Sequence, residues 1–471
     1  MLSEALLKNL AVTGLSDDSR LVKAGDMFFA FPVGDYEKFA RMALNKGAVA
    51  VVSEVPAPKG LEAHWLQVKN TAEARLEASK ILFKDPFASL TAHAVTGTNG
   101  KTTSAFLMAE ILRAQGRKVA LLGTICKRIG DKVVASHLTT PGLIELYAFA
   151  RDAVDAGCTD LVMETSSHSL HQGRVAGIAF KSGLFSNLTR DHLDYHKTME
   201  NYFQAKKLLF TKYLREDGVA VINVDDAYGL RLYNEITVKN KTAVSRLGSA
   251  VAQVKPSEVI CHEDGMKLTI PALSEKPFDT RLVGEFNVDN ILLVAAWARA
   301  LGLSMDALRE SLLAVRVPGR FEMVWNDGKR RVIVDYAHTP DAIERVLLTA
   351  RELCRGKLSI VFGCGGDRDR TKRPIMGGIA EKEADFAWVT SDNPRTEIPG
   401  EIINEIVAGM HTKKFTVIED RAEAISKACN ALGDGDWLVV AGKGHEDYQI
   451  VGTVKHHFDD RELVRKEMEK C

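Results

Sequence analysis

No stretch of this 471-residue chain approaches the ~18 consecutive apolar residues that a membrane span requires, and nothing in it reads as a spanning segment. An excess of charge is missing as well, with 62 Lys and Arg against 62 Asp and Glu. Proteins that bind nucleic acid or membrane surfaces non-specifically normally carry a basic excess, so the balance gives neither partner any support. An anionic substrate must be met by local positive charge. Cysteine is sparse: Cys126, Cys158, Cys261, Cys354, Cys364, Cys429 and Cys471, an odd number with no CxxC pair. That argues against a disulfide framework or a cysteine-based zinc site, and for reduced thiols in a cytoplasmic protein. Cys364 stands in a Gly-rich loop where a thiol can be reactive, but a packed small residue is the preferred reading. Internal repeats and low-complexity tracts are absent. The N-terminus, MLSEALLKNL, has an acid at Glu4 and Leu2, Leu6 and Leu10 at helical spacing, which predicts an amphipathic helix and not a signal peptide.

What is present is an alternation of short apolar runs with helical patterns, the mark of βαβ units. Examples are Val119–Leu122, Leu161–Met163, Val219–Ile222, Val332–Val334, Leu358–Phe362, Phe386–Val389 and Trp437–Val440, many of them apolar throughout, as parallel strands buried on both faces are. Breaks at Lys84-Asp85-Pro86 and Val317-Pro318-Gly319 divide the chain into sections 1–88, 89–317 and 318–471.

The strand Ala92–Val95 leads into Thr96-Gly97-Thr98-Asn99-Gly100-Lys101-Thr102-Thr103, and a helical run Ser104–Leu112 follows. Such glycines let backbone N–H groups turn toward phosphate oxygens. Lys101 brings charge to the β/γ-phosphates, and Thr102 offers a hydroxyl to Mg²⁺. Two residues separate the glycines where the common phosphate loop has four. ATPases, kinases, transporters and ligases all use such a loop, so the rest of the chain must decide the reaction. Glu164 ends a buried strand, the place where a doubly wound sheet holds a metal beside its phosphate site; a helix-capping acid is the alternative. After a further strand comes Ser186-Asn187-Leu188-Thr189-Arg190-Asp191-His192-Leu193-Asp194-Tyr195-His196. Two histidines four apart on a helix can share a zinc ion, but no HExxH or cysteine accompanies them, and His192 as a ligand to a second Mg²⁺ is preferred.

Together GTNGKTT, METSSH, NLTRDHLDYH with YFQAK, GEFNVDN, PGRFE, DYAHTP, FGCGGDRD, DNPR and GKGHEDYQ resemble the Mur ligases of peptidoglycan synthesis, in order and across most of the chain. The resemblance implies an α/β protein of three domains. An N-terminal domain binds the uridine nucleotide, a central P-loop ATPase carries a mostly parallel sheet, and a C-terminal Rossmann-like domain binds the amino acid. It implies ATP and Mg²⁺ as cofactors, with Gly97–Thr103, Asn287, Arg320, Asp335 and His338 at the nucleotide. Lys101, Glu164, His192 and Lys206 are then catalytic; Thr102, Glu164, His192 and a carbamylated Lys206 hold metal. For the UDP-substrate it points to Ser19, Thr139, Thr140, Ser166, Gln172 and Arg174. The family's Asp-Gly-His loop is replaced by the shorter Gly34-Asp35-Tyr36-Glu37-Lys38-Phe39.

Arg368, Asp392, Asn393, Pro394, Arg395, Gly442 and Glu446 match the pocket for the incoming amino acid. Arg395 suits meso-diaminopimelate, whose far carboxylate an arginine can grip with two bonds; Glu446 suits the far ammonium. An L-lysine pocket would leave that arginine unpaired. The expected partners are UDP-N-acetylmuramoyl-L-alanyl-D-glutamate and meso-diaminopimelate, without nucleic acid or membrane, for a monomer that is ATP-dependent and ADP-forming. L-Lysine as the added residue, or a folylpolyglutamate-synthase-like ligase, are the alternatives.

Overall fold

A computed structural model describes residues 2–136 and 138–470. The N-terminal section folds around a parallel sheet of Gly14–Ser16, Asp26–Phe29, Ala50–Ser53 and Trp65–Gln67, paired in that order. The first helix runs Glu4–Asn9, started by Ser3, whose hydroxyl accepts from the Leu6 N–H. A serine cap sets that start, so Leu2 and Leu10 fall outside the helix; Leu2 and Leu7 are the buried residues.

The central sheet has eight strands in the order Asn240–Val244, Leu214–Asn223, Phe180–Phe185, Thr91–Thr96, Asp160–Glu164, Val119–Leu122, Cys126–Ile129, Lys132–Ala135. The first six are parallel and the last two form an antiparallel extension. Thr91–Thr96 lies where the strand order reverses: the chain goes from it to one side, then crosses to Phe180–Phe185 on the other. Three adjacent strands therefore deliver the phosphate loop, Glu164 and Ser186-Asn187 to one crevice.

The helix Glu285–Ala300 packs under this sheet. Residues Ile291 to Ala298 in it are all buried, so it is core on every side, and each large aliphatic there contributes ~1.5–3 kcal/mol. One polar thread crosses this core. Trp297 Nε1 donates to Ser182 Oγ at 2.8 Å, Ser182 Oγ meets His93 Nδ1 at 2.8 Å, and His93 Nε2 faces Asp160 Oδ1 at 3.3 Å. All hydrogens find partners if His93 is neutral with its proton on Nε2, an assignment made from the network. Burial holds the His93 imidazole below its ordinary range, against the pull of Asp160. A histidine with a depressed folded pKa binds its proton more readily unfolded. Its stabilising effect is complete above the unfolded value near 6.5 and fades as pH falls toward the folded value. Urea unfolding between pH 7.5 and 5 should show stability falling below ~6.5 by up to about 1.4 kcal/mol per pH unit from this group. A slope unchanged in His93→Gln would remove His93 as the cause.

The C-terminal section holds a six-stranded sheet in the order Glu322–Asn326, Arg331–Asp335, Trp437–Ala441, Leu358–Phe362, Phe386–Val389, Phe415–Val417, with only the first strand antiparallel. The two edge strands escape a search for apolar runs because they are half-buried and polar-interrupted. So does a small antiparallel sheet of Glu258–His262, Gly265–Thr269 and Phe278–Thr280. Cys471 lies outside the described residues; Cys126, Cys158, Cys261, Cys354 and Cys364 are free thiols. Cys364 is a packing residue: it is buried against Met376 Sδ at 3.7 Å, and burial pushes its thiol up to about 12. No helix among the described residues is long and apolar enough to cross a membrane.

Candidate active site

The phosphate loop is shaped by two glycines that a side chain could not replace. Gly100 has φ +83° where the helix Lys101–Ala114 begins, and a Cβ there would overlap Asn290 Oδ1. A Cβ on Gly97 would overlap Ser186 Oγ. The Asn187 side chain accepts from the Asn99 N–H at 2.9 Å, so the neighbouring strand end fixes the loop tip. The Lys101 ammonium caps the loop, donating to the carbonyls of Gly97 and Thr98 at 2.9 and 2.8 Å.

Glu164 is buried at the end of its strand and collects three donors. Thr124 N gives 2.8 Å to Oε1; Thr124 Oγ1 and Thr102 Oγ1 give 3.0 and 3.1 Å to Oε2. Glu164 caps no helix. Its carboxylate and the Thr102 hydroxyl offer two hard oxygens side by side. Mg²⁺ suits such a pair, since it keeps waters and phosphate oxygens for its remaining positions. Among the described residues no group of three His, Cys, Asp or Glu forms a metal site by itself.

Lys206 is 1% exposed. Its amine donates to the Gly97 carbonyl at 2.7 Å and lies 4.7 Å from the centre of the Tyr202 ring. Burial first, and then the neighbouring Lys101, hold that amine well below the lysine range, against the pull of Asp191. His192 does not share a zinc site with His196. The helix there is the single turn Leu193–His196, His192 is its left-handed cap at φ +54°, and His196 turns inward to Ser167 Oγ at 2.9 Å. His192 faces the cavity instead, its ring 4.9 Å from that of His168.

A cavity of about 260 Å³ lies between the phosphate loop and the C-terminal section. Thr98–Thr103, Glu164, His192, Asn290, Arg320, Asp335 and His338 line it. Arg320 reaches Thr102 Oγ1 at 3.4 Å and stacks over Tyr336 at 4.5 Å. Asp335 accepts from the N–H groups of Phe321 and Ala337 at 2.6 and 2.7 Å. Asn99 Nδ2 crosses to Asp341 Oδ2 at 2.9 Å, tying the loop to the C-terminal section. Asn287 does not line this cavity: it is spent on the Val283 carbonyl at 2.8 Å and on Asn290, and Asn290 lines the cavity instead.

A second cleft, of about 1260 Å³, adjoins the first. Thr139, Thr140, Ser166, Arg174, Arg368, Asp392, Asn393, Arg395, Gly442 and Glu446 all line it, with His192 at the junction. Thr140 Oγ1 donates to the Glu164 carbonyl at 2.9 Å, and Arg174 Nη1 to the Thr140 carbonyl at 3.0 Å. Gln172 and Pro394 do not line this cleft. Gln172 accepts from Arg174 Nε at 2.9 Å and donates to the Tyr195 hydroxyl at 3.0 Å. Ser19 is buried in its turn and lines neither cavity. The guanidinium of Arg395 donates to the Gly366 carbonyl at 2.8 Å and forms no ion pair with a carboxylate of the described residues. Glu446 Oε2 accepts from Asn393 Nδ2 at 2.8 Å; burial and the nearby Asp392 raise its carboxyl, against the buried Lys443. Thr124, Asn187, Asn290, Asp341 and Lys443 were not singled out from sequence. Each acts through a contact between distant segments; Asn187, Asn290 and Lys443 stand inside motifs that the sequence displays, but nothing local to Thr124 or Asp341 gives a signal.

The chain is similar to known proteins along nearly its whole length. The family model described as the Mur ligase middle domain matches residues 95–298, and the one described as the Mur ligase, glutamate ligase domain matches 319–444. The chain is 46% identical to the UDP-N-acetylmuramoyl-L-alanyl-D-glutamate–2,6-diaminopimelate ligase of Geobacter metallireducens, over 97% of this chain and 94% of that one. It is also 46% identical to the enzyme of the same name from Synechococcus elongatus, again over 97% and 94%. A solved structure of a ligase of that name superposes with a TM-score of 0.67 at 34% identity, covering 98% of this chain and 95% of the other.

Proposed function

Since the chain belongs to the Mur ligase family, we propose that it is the ATP-dependent, ADP-forming ligase that adds meso-diaminopimelate to UDP-N-acetylmuramoyl-L-alanyl-D-glutamate in peptidoglycan synthesis. It works as a cytoplasmic monomer in this reading. The γ-phosphoryl of ATP passes to a substrate carboxylate, giving ADP and an acyl-phosphate. The amine of the incoming amino acid then attacks the acyl carbon, and phosphate leaves with the C–O bond.

Phosphoryl transfer of this kind asks a protein for positioning and charge neutralisation more than for acid–base work. Lys101 stands over the loop that cradles the phosphates, and Arg320 points a guanidinium at Thr102 from the C-terminal side. Thr102 and Glu164 would hold one Mg²⁺; His192 and a carbamylated Lys206 would hold a second. When bound, the ions neutralise phosphate charge and withdraw electrons from the transferring group. A bare amine is a poor ligand for Mg²⁺, so the second set fits only if Lys206 carries an acidic group. Thr139, Thr140, Ser166 and Arg174 take the UDP-substrate in the large cleft, with Ser19 and Gln172 supporting it. Arg368, the Asp392–Arg395 turn, Gly442 and Glu446 take the amino acid. Asn287 and His338 serve the nucleotide, the first through Asn290.

The observation that carries the choice of amino acid is the guanidinium of Arg395, which forms no ion pair among the described residues and stands on the wall of the cleft that Glu446 also lines. A substrate with a carboxylate and an ammonium at its far end satisfies both groups. Phosphate release from ATP in the presence of UDP-N-acetylmuramoyl-L-alanyl-D-glutamate should depend on meso-diaminopimelate. Release with L-lysine in its place would keep the ligase and overturn the assignment of Arg395.

A further inference from the structure

The turn that carries Arg395 is joined to a hairpin more than fifty residues further along the chain. Arg395 has φ +52°, a left-handed conformation that strains a non-glycine residue. Such a backbone persists only where neighbours fix it, and here the neighbour is the hairpin of Tyr448–Val451 and Val454–His457. Both polar groups of the Arg395 backbone are engaged by it. Arg395 N–H donates to the Ile450 carbonyl at 3.1 Å, and Gly452 N–H donates to the Arg395 carbonyl at 2.7 Å. Two side-chain bonds complete the join. Gln449 Nε2 donates to the Asp392 carbonyl at 2.7 Å, and Ile450 N–H donates to Asn393 Oδ1 at 2.9 Å.

The outer strand of the hairpin, Val454–His457, is exposed at every residue. A two-stranded hairpin of this size is at best marginal alone, so its place depends on the same bonds. Turn and hairpin are joined to each other: Asp392 and Asn393 of the turn are buried, while Tyr448–Val451 is at most half-buried and the outer strand is exposed. Of the four bonds, only the one from Gln449 depends on the identity of a hairpin side chain.

We propose that Gln449 is a positioning residue for amino-acid selection: by holding the Asp392 carbonyl it docks the hairpin and keeps the Arg395 guanidinium on the cleft wall, where it meets the far carboxylate of the substrate. Gln449 touches no reacting atom. Its loss weakens discrimination for a far carboxylate and leaves the phosphoryl-transfer groups in place.

This inference rests on the reading of Arg395 given above, so the experiment separates the two. The kcat/KM values for meso-diaminopimelate and L-lysine are measured for the full-length protein and for Gln449→Ala, Gln449→Glu and Arg395→Ala. Gln449→Glu keeps the size of the side chain but turns its donor into an acceptor facing a carbonyl, which covers the case in which the alanine variant folds poorly. The expected result is a preference for diaminopimelate over lysine that falls about tenfold in both Gln449 variants. The drop is carried by KM for diaminopimelate, with KM for ATP unchanged within about twofold. A preference kept in both Gln449 variants but lost in Arg395→Ala overturns the role of Gln449 alone. A preference kept in Arg395→Ala overturns the reading of Arg395, and this inference with it. Equal losses toward both amino acids in the Gln449 variants would mark Gln449 as merely structural and also overturn the inference.

Discussion

Lys101→Ala should lower ATP-dependent phosphate release by about 10³-fold while the protein stays folded. The ammonium rests on two carbonyl oxygens, those of Gly97 and Thr98, and forms no ion pair among the described residues. Burial pulls its pKa down; Glu164 opposes this and Arg320 adds to it. A cation placed over a phosphate loop with only dipoles as partners finds its counter-charge when phosphate oxygens arrive. The same interaction tightens as charge moves onto the bridging oxygen during transfer, so its removal falls on kcat more than on nucleotide binding. Arginine should not rescue it, because a planar fork cannot replace a compact charge in this turn. Steady-state phosphate release with all substrates saturating, beside a urea melt, tests this. A kcat within tenfold of the parent would remove Lys101 from the transition state.

Lys206→Ala is the second large effect, about 10²-fold or more on kcat. A lysine this buried, with its amine held well below the usual range by burial and by Lys101, gives up its proton and frees its nitrogen lone pair more readily than an exposed lysine does. That nitrogen can attack carbon dioxide. An N–C bond forms, a proton leaves to water, and the product is a carbamate with one negative charge. Its remaining N–H can still donate to the Gly97 carbonyl, so modification does not require the loop to move. The carbamate turns the amine into a carboxylate-like ligand. Two measurements follow. The parent enzyme, stripped of carbon dioxide, should lose activity and regain it with bicarbonate. Lys206→Ala should be inactive and indifferent to bicarbonate. Full activity in the variant, or a parent that ignores carbon dioxide, would end the carbamate proposal.

Much of this was legible in the sequence, for local reasons. A strand buried on both faces is written as an apolar run, and Val119–Leu122, Leu358–Phe362 and Phe386–Val389 stand in the structure at those same residues. The phosphate loop is legible because backbone turning needs glycine at fixed places and phosphate charge needs lysine. The amino-acid motifs are legible for the same reason, since charged groups in glycine-rich loops at strand ends have few other uses.

What the tertiary structure alone decided is every property that depends on two distant segments meeting. Asn290 faces the nucleotide cavity instead of Asn287 because Asn287 is already spent on Val283, one helical turn back. His192 and His196 diverge because the helix between them is a single turn with a left-handed cap. Arg395 owes its conformation to a hairpin more than fifty residues away. Composition and spacing determined which chemical groups this protein brings to its site. Their partners, orientation and exposure were decided by packing, because a hydrogen bond is satisfied by whatever lies within 3 Å and not by what lies nearby in the chain.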